Sequence, residues 1–427
     1  MNLLQPYYSA RRLYRDYPGP FWTLAVATFI DRLGGALIFP FFALYITRKF
    51  GVGMTEVGIL FLLFSVPSIL GGLIGGALAD RLGRKSVIVF SLLTTAASTL
   101  LMGYIESLEA FYVLAVLVGL LADVGGPAYQ AVVADLLPVE QRAGGYGLLR
   151  VIFNLAVVIG PAIGGLLITR SYLLLFIADA IASTVTAAIV LLFLPETKPR
   201  RISPQAQESL MRTFGGYGVP LRDATFVFFI LACVLQGFVY MQMHSTLGVY
   251  LRDTHGIAER GYGALLSLNA AMVVVMQFWI TRRVEKRPPF QIMVVGTLLY
   301  AIGFGLYGPA TTYTWFAIAM IILTIGEMVV APVTQALVAR MAPEDMRGRY
   351  MAAYGFAWVV PSALAPLLAG VVMDQYDPRW VWYAAALLGM LSAVMFQRLH
   401  RRDVNPALSA AGGVPTVSIE RSGGGTS

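Results

Sequence analysis

Long apolar runs alternate with short polar breaks along almost the whole chain. An α-helix needs roughly 20 consecutive apolar residues to cross the hydrocarbon core of a bilayer. Runs bounded by Gly, Pro and charged residues therefore predict twelve membrane-spanning helices. We expect these spans at about 21–47, 56–79, 86–105, 110–137, 145–169, 172–194, 224–250, 261–281, 290–308, 313–339, 350–372 and 379–397.

The longest polar link separates the sixth span from the seventh and opens with LPETKPRRISPQ. Its proline and charge content is typical of a connector. The link divides the chain into a six-helix half over 1–195, a cytoplasmic linker over 196–222 and a second six-helix half over 223–400. The Gly- and Ser-rich remainder, 401–427, is expected to be a disordered cytoplasmic tail. The expected fold class is an all-α membrane protein.

The two halves resemble each other in sequence. The segment GPAYQAVVADLLPVEQRA, 126–143, is similar to APVTQALVARMAPEDMRG, 331–348, at a constant offset of 205 that places Pro127 on Pro332. The same offset holds in the span that follows each segment. Because it persists across a loop, the halves are predicted to be parallel repeats, a plan found in many transporters.

Composition narrows the class of protein further. Hydrophobic residues make up 58% of the 427 positions and charged residues only 13%, whereas soluble proteins are about a quarter charged. The net charge of +8 is not gathered into a basic stripe with aromatics, so no nucleic-acid partner is expected. The sequence has no phosphate-binding GxxxxGK[ST] loop, three scattered histidines and a single cysteine, Cys233. We therefore expect no ATP, no metal, no cofactor and no enzyme activity.

Lysine and arginine are distributed unevenly over the links. With the N-terminus in the cytoplasm, 24 of the 31 basic residues fall on the cytoplasmic side and six on the outer side, while Arg32 lies within the first span. Basic residues are retained on the cytoplasmic side of membrane proteins. Both termini are therefore predicted to be cytoplasmic, in the inner (plasma) membrane of the cell, with membrane lipids as partners of the basic loops.

The link between the second and third spans reads GALADRLGRK, 76–85. It resembles, at every defined position, the loop signature of the major facilitator superfamily, G-x-L-a-D-r-x-G-r-[R/K]. The resemblance covers about residues 20–400 and implies two six-helix halves that rock about a central site. It also implies that Asp80 contacts the eleventh span near Arg349 and Tyr350 when the protein opens outward. The alternative is a loop whose charges only set the topology. The implied gating residues are Gly76, Asp80, Arg81, Gly83, Arg84 and Lys85.

A second motif lies in the fifth span, where IGPAIGG, 159–165, resembles the core of the drug:proton antiporter signature. Two positions depart from that branch of the family. Ala156 stands where the signature has a glycine, and Ala115 stands where these antiporters carry an arginine in the fourth span. A proton-coupled mechanism would therefore need ionisable groups elsewhere. The motif adds the gating residues Gly160, Pro161, Gly164 and Gly165.

Ionisable residues within the spans are the main functional candidates. A charge at the bilayer centre costs about 2.5–3.5 kcal/mol on insertion scales, so such residues persist where they face a cavity or one another. By resemblance, spans 1, 4, 7 and 10 line the cavity. Glu327 has no basic residue in its own span before Arg340, and it ranks first as the proton-coupling carboxylate. Asp123 and Asp31 follow, as its expected partners across the cavity. The predicted coupling and cavity residues are Glu327, Asp123, Asp31, Arg32, Gln130, Gln335, Tyr240 and Gln236.

Intramembrane polar groups also have structural interpretations, and these stay open for Asp123 and Glu327 too. Asp31 and Arg32 could pair with other helices and hold the bundle together. Asp179, in the outer third of the sixth span, is interpreted as structural, and His244, near the outer end of the seventh, has either role.

The function expected from these features is proton-coupled efflux, an antiport of hydrophobic or cationic small molecules against protons by alternating access. A cavity that combines carboxylates with Met and aromatic side chains suits varied apolar ligands. Two alternatives stay open. One is a symporter or facilitator for a small metabolite or a lipid, and the other is a membrane receptor or scaffold that does not transport.

Overall fold

The computed structural model of the chain describes residues 16–197, 220–284, 287–343 and 346–404. This described part contains no β-strand, and twelve of its helices are long and apolar enough to cross a membrane. The predicted all-α membrane class is therefore confirmed. The helices are α1 Gly19–Phe50, α2 Met54–Leu82, α3 Arg84–Tyr104, α4 Leu108–Leu136, α5 Val139–Leu167, α6 Leu173–Phe193, α7 Ala224–Ser245, α8 Glu259–Val284, α9 Pro289–Leu306, α10 Tyr313–Met341, α11 Arg349–Gln375 and α12 Arg379–Val404.

The two predicted halves contain α1–α6 and α7–α12. Most of the predicted linker and tail, together with residues 1–15, lies outside the described residues. Because the number of described spans is even, the start of α1 and the end of α12 lie on one side of the bundle, which we call the terminal side. The other side, which carries the α1–α2, α3–α4, α5–α6, α7–α8, α9–α10 and α11–α12 links, is called the opposite side.

Two of the cavity helices predicted from the family are interrupted by proline. In α1, Pro40 lies in a 3₁₀ turn, Phe39–Phe41, that divides the span. In α4, the helix stops at Ala122 and restarts at Gly125. Pro127 explains this break, because it lacks the N–H that would bond to the carbonyl of Asp123 four residues earlier. That carbonyl instead accepts a bond from the backbone N–H of Gly126 at 3.2 Å.

The matching proline in the second half has a different effect. Pro332 lies inside α10, which continues without interruption from Tyr313 to Met341. The carbonyl that Pro332 leaves free belongs to Met328, and it accepts a hydrogen bond from the side-chain amide of Gln277 in α8 at 3.0 Å. A neighbouring helix therefore supplies the bond that the proline removes, and α10 remains continuous.

The halves contact each other through two equivalent helix pairs, α5 with α8 and α2 with α11. A Cβ atom on Gly263 would lie 3.2 Å from the Cα of Gly165, so α5 and α8 touch backbone to backbone. The offset of 205 carries these glycines onto positions of the other pair: Gly58 corresponds to Gly263, and Gly370 to Gly165. A Cβ atom on Gly58 would overlap the Cα of Leu367. The predicted parallel repeat is confirmed by this shared geometry.

Large apolar side chains also cover the outside of the bundle. Leu70, Val275, Trp279 and Leu387 are all more than half exposed, and they lie on three different helices. An apolar surface of this extent is unfavourable in water and suits contact with lipid chains.

Candidate functional site

Glu327, midway along α10, is held by two neutral side chains. Its Oε1 accepts a hydrogen bond from the Tyr240 hydroxyl of α7 at 3.1 Å, and its Oε2 accepts one from the Asn269 amide of α8 at 2.8 Å. The same amide donates to Oγ1 of Thr324 at 2.9 Å. We call these four residues the Glu327 cluster. Within the described residues Glu327 belongs to none of the ion pairs, so its charge has polar support and no cationic partner.

Aromatic rings flank the carboxylate on the α7 side. The Tyr240 ring makes edge contacts with Trp358 of α11 at 5.8 Å and with Tyr300 of α9 at 6.1 Å between centroids. Trp358 is 46% exposed, and its indole N–H donates to the Tyr354 hydroxyl at 3.2 Å. The exposed Trp358 ring is thus linked to the carboxylate through Tyr240, and aromatic rings combined with a carboxylate suit organic cations.

The first half places Asp31 and Arg32 at a similar depth in α1. They form a loose ion pair with 3.9 Å between Arg32 Nε and Asp31 Oδ2. The Arg32 side chain is 49% exposed, and its guanidinium carbon lies 5.7 Å from the ring centroid of Phe153 in α5. This exposure contrasts with the enclosed hydrogen bonding of Glu327.

Asp123 lies at the break of α4 and is exposed. A Cβ atom on Gly72 would lie 3.9 Å from its Oδ2, so the carboxylate points toward the middle of α2. The partners that the structure describes for Glu327 lie within its own half. Its expected partnership with Asp31 or Asp123 across the cavity therefore stays a prediction.

The predicted glutamines have different surroundings. The Gln236 side chain is buried and donates to Thr297 of α9 at 2.9 Å, which places it in the packing between α7 and α9. Gln130 is exposed on α4, and Gln335 is partly exposed on α10. Neither glutamine reaches the Glu327 cluster in the described contacts.

Sequence reasoning missed Asn269, although it makes a short hydrogen bond to the leading candidate. It lies on α8, outside the four spans expected to line the cavity. The repeat gives no hint either, because the offset places Phe64 at the equivalent position in the first half. The sequence did contain one indication: Asn269 is an amide midway along an apolar span, where leaving a polar group without a hydrogen bond costs free energy.

The loop signature on the terminal side organises the start of α3. The Glu196 carboxylate accepts hydrogen bonds from the backbone N–H groups of Arg84 at 2.9 Å and Lys85 at 3.5 Å. Gly83 has φ of 101°, in the region that favours glycine, and a Cβ atom there would lie 2.6 Å from Glu196 Oε2. The Arg84 guanidinium forms an ion pair with Asp135 of α4. These residues tie α3, α4 and the end of α6 together.

The proposed contact of Asp80 with α11 stays a prediction, because the side chain of Asp80 lies outside the described part of the structure. Tyr350 of α11, its expected neighbour, donates a hydrogen bond to Asp223 at 3.1 Å. Asp223 also caps the start of α7, accepting from the backbone N–H groups of Thr225 and Phe226. A Cβ atom on Gly76 would meet Pro127 of α4 at 3.8 Å, an ordinary packing distance.

The fifth-span motif packs α5 tightly on α1. A Cβ atom on Gly160 would overlap the Cβ of Ala36, and one on Gly164 would lie 2.7 Å from the carbonyl oxygen of Leu37. Pro161 lies between them inside the helix. Gly165 contacts α8. The motif therefore packs against α1 on one face of α5 and against the second half on another face.

On the opposite side, a carboxylate from α11 caps a helix of the other half. The Asp374 carboxylate accepts hydrogen bonds from the backbone N–H groups of Met54 at 2.9 Å and Thr55 at 2.7 Å. These are free donors in the first turn of α2, where the helix dipole also favours a negative charge. Asp374 therefore holds the two halves together at this side.

Polar side chains add further links on the opposite side. Arg48 of α1 and Tyr172, before α6, both donate to the Glu259 carboxylate of α8, at 2.9 and 3.1 Å. Burial and the nearby Glu259 carboxylate raise the pKa of Tyr172, which keeps its hydroxyl a donor. Arg252 donates to Thr47 at 3.0 Å. Together with Asp374 and the glycine contacts, these links close the bundle at the opposite side.

Asp179 of α6 is buried within the first half. Its Oδ2 accepts a hydrogen bond from Thr99 of α3 at 2.9 Å, and a Cβ atom on Gly34 of α1 would lie 2.5 Å from its Oδ1. The carboxyl group thus joins three helices of one half, which suits the structural interpretation.

Similarity to known transporters spans most of the chain. The chain is 28% identical over 359 residues to a Na(+), Li(+), K(+)/H(+) antiporter of Planococcus maritimus, covering 78% of this chain and 84% of that protein. It is 23% identical over 367 residues to the multidrug resistance protein MdtH of Escherichia coli (strain SE11), covering 84% and 89% of the two chains.

Solved structures with the same fold are more distant in sequence. A POT family transporter in complex with 5-aminolevulinic acid superposes with a TM-score of 0.74 at 14% identity, covering 91% of this chain and 97% of that one. The nucleoside transporter NupG superposes with a TM-score of 0.71 at 13% identity, covering 90% and 99%.

The family model named Major Facilitator Superfamily matches residues 24–366 and 262–420. This match covers nearly all of both halves, and it agrees with the loop signature at 76–85, the parallel repeat and the twelve spans. The chain belongs to the major facilitator superfamily of membrane transporters.

Proposed function

We propose that this transporter is a proton-coupled antiporter that exports hydrophobic or cationic small molecules across the inner (plasma) membrane by alternating access. The observation that carries the proposal is the Glu327 carboxylate, which is midway along α10 and is held by neutral donors. One of these donors, Tyr240, contacts the exposed ring of Trp358. Such a group can be neutralised either by a proton or by a cationic substrate. Competition between the two ligands at one carboxylate is the simplest basis for exchange.

The orientation proposed from the basic residues places the terminal side in the cytoplasm. The closed opposite side would then face outward, as expected of a state that opens to the cytoplasm. In this state a cationic substrate would reach Glu327 from the cytoplasm and displace its proton. After the halves rock, a proton from the outer side would displace the substrate. Each ligand shifts the equilibrium only by its different affinity for the two states.

The aromatic neighbours favour an organic cation. Tyr240 bonds to the carboxylate and its ring contacts Trp358, and an ammonium or planar cation gains from both a charge and aromatic rings. The similarity to a multidrug resistance protein supports this substrate class. Arg32, exposed on the other half, would disfavour a cation there, which directs the substrate toward the Glu327 side.

A second candidate substrate is a monovalent metal cation. Glu327, Thr324, Tyr240 and the amide of Asn269 bring several oxygen atoms to one place, and oxygen ligands suit hard cations. The Asn269 amide would have to turn its oxygen toward the ion. The similarity to a Na(+), Li(+), K(+)/H(+) antiporter supports this candidate.

Transport by purified protein in lipid vesicles tests the proposal. With an acidic interior and a clamped membrane potential, vesicles should accumulate ethidium, a permanent cation that carries no titratable proton. The Glu327→Gln variant should lose this gradient-driven uptake and keep at least part of the ethidium exchange at equal pH. The matched control is Asp179→Asn, which alters a buried carboxyl group of the other half.

The outcomes separate the candidates. Gradient-driven uptake of Li⁺ or Na⁺, without uptake of ethidium, would favour the metal cation as substrate. Uptake that requires an alkaline interior would indicate symport, and uptake that ignores the gradient would indicate a facilitator. If Glu327→Gln keeps gradient-driven uptake at the wild-type rate, Glu327 is not the coupling group.

A further inference from the structure

A buried histidine lies next to the Glu327 cluster and is not explained by helix packing. His244 is on α7, one turn beyond Tyr240 toward the opposite side, and is only 9% exposed. Its Nε2 lies 3.5 Å from the Tyr240 hydroxyl oxygen. Its Nδ1 has no hydrogen-bond partner among the described residues. An enclosed ring nitrogen without a partner is unfavourable and calls for a reason.

His244, Tyr240 and Glu327 form a continuous chain. The Tyr240 hydroxyl donates to Glu327 Oε1 at 3.1 Å and faces His244 Nε2 on its other side. A phenol hydroxyl donates one proton and accepts another, and an imidazole does the same through its two nitrogens. Each group can therefore receive a proton on one side and release one on the other. The chain leads from the coupling carboxylate toward the opposite side of the bundle.

The far end of this chain is covered by the other half. The ring of Phe39, in the 3₁₀ turn of α1, lies 5.8 Å from the His244 ring between centroids. Phe39 also makes an edge contact with Phe61 of α2, so it moves with the first half. When the halves separate on the opposite side, Phe39 leaves the imidazole. His244 is therefore shielded in the closed arrangement and uncovered in the open one.

The elements packed against α7 determine which charged groups could lie near His244. The elements packed against α7 are α9, α11 and α12, the 3₁₀ turns 39–41 and 220–222, and the short helix Leu247–His255 that follows α7. The short helix carries Arg252 and Asp253, which pair with each other, and His255, which packs against Tyr250 and Phe316. Arg222 lies at the other end of α7. No Asp, Glu, Lys or Arg occurs over 39–41, 289–306, 356–373 or 380–397. The titratable groups within these four ranges are tyrosines, of which Tyr300 lies against Tyr240. The nearest ionisable partner along the hydrogen bonds is Glu327 itself.

We propose that His244 relays protons between the opposite side and Glu327 through the hydroxyl of Tyr240. A proton arriving from the opposite side binds Nδ1. The proton on Nε2 passes to the Tyr240 oxygen as the original hydroxyl proton passes to Glu327. The tyrosine ends unchanged, Glu327 gains one proton, and His244 ends neutral with its proton on Nδ1. This relay rests on the proposed function, because it supplies protons to the carboxylate that exchanges them for substrate.

The relay is tested with His244→Gln, which keeps a polar side chain and removes the titratable ring. The matched control is His255→Gln. That histidine is also near the opposite side and also has a ring nitrogen without a described partner, but it packs against Tyr250 and Phe316 and has no described link to the Glu327 cluster. Vesicles containing trapped pyranine report proton movement, and labelled ethidium reports transport.

We expect His244→Gln to lower gradient-driven ethidium uptake and the linked proton efflux by on the order of 10-fold or more, since positioned proton donors and acceptors accelerate transfer strongly. Ethidium exchange at equal pH should stay within about twofold of the wild type, because a residue that lies off the substrate path adds no barrier to exchange. His255→Gln should match the wild type in both assays. His244→Ala should regain coupling when imidazole is added from the opposite side, and a purely structural role would not produce this rescue.

The outcomes are distinguishable from failure of the proposed function. If Glu327→Gln keeps coupling, the proposed function and the relay both fall. If Glu327→Gln loses coupling while His244→Gln keeps it, only the relay is refuted. If His244→Gln loses both coupling and exchange, the imidazole rescue of His244→Ala decides, and an absence of rescue refutes the relay.

Discussion

The cap that Asp374 forms on α2 predicts how firmly the opposite side is closed. Replacing Asp374 with alanine removes the acceptor of two backbone hydrogen bonds that cross between the halves. Loss of a helix N-cap costs about 0.5–2 kcal/mol. Because Asp374 is exposed, water and salt weaken its interaction, and we expect about 1 kcal/mol. A change of that size alters the ratio of closed to open molecules about fivefold.

The shift can be measured as a distance between spin labels on the opposite side. Cysteines at Glu106 and Thr311 place one label on each half, and both positions are exposed. The natural Cys233 is buried and can be replaced by alanine to remove any background labelling. Asp374→Ala should enrich the longer-distance population about fivefold relative to the unaltered background, as its free-energy cost implies.

A matched control lies on the same link. Asp377 accepts a hydrogen bond from the backbone N–H of Arg379 within its own turn. Asp377→Ala therefore removes a carboxylate of the same charge without breaking a contact between the halves. Distance distributions that coincide for the two variants would refute the role assigned to Asp374.

Three further predictions concern the topology, the loop signature and the glycine contact. Cysteines placed over 106–109 should react with an impermeant reagent added outside cells, and those over 282–287 only after permeabilisation, so equal outside labelling would overturn the topology. Asp80→Asn should impair transport with little loss of folded protein. A contact of about 1–3 kcal/mol that is made in only one of the inward- and outward-facing states shifts their ratio about 5- to 150-fold. Wild-type transport rates in this variant would mean that the loop only sets the topology. Gly263→Val should hold the opposite side open, because α5 and α8 could no longer touch, and an unchanged distance between labels at 106 and 311 would contradict this.

The sequence predicted the architecture because its signals are periodic and local. Apolar runs define the spans, and the 205-residue offset predicts the repeat, whose two pairs of contacting helices use Gly58, Gly165, Gly263 and Gly370 in the structure. The positions of the prolines are also known from the sequence, but whether each one breaks its helix could not be predicted. Pro127 breaks α4, and its counterpart in α10 does not break the helix, because a side chain from another helix replaces the missing bond. That difference depends on tertiary contacts.

The site was predicted only in part for the same reason. Glu327 and Tyr240 were identified from an unpaired charge and from the family's cavity helices, and the structure brings them together. Asn269 lies 58 residues from Glu327, on a helix that the family rule excluded. Asp374 reaches backbone groups 319 and 320 residues away. Contacts at such separations leave no periodic trace in a single sequence.

The central claim is that one proton and one cationic substrate compete for Glu327. Proton release on substrate binding tests it most directly, in weakly buffered detergent solution with a pH-sensitive dye and no gradient. Adding ethidium to the wild-type protein should release protons in proportion to the ethidium bound. Glu327→Gln should bind ethidium more weakly, through the remaining aromatic side chains, and release no protons. Equal proton release by the wild type and by Glu327→Gln would contradict the account.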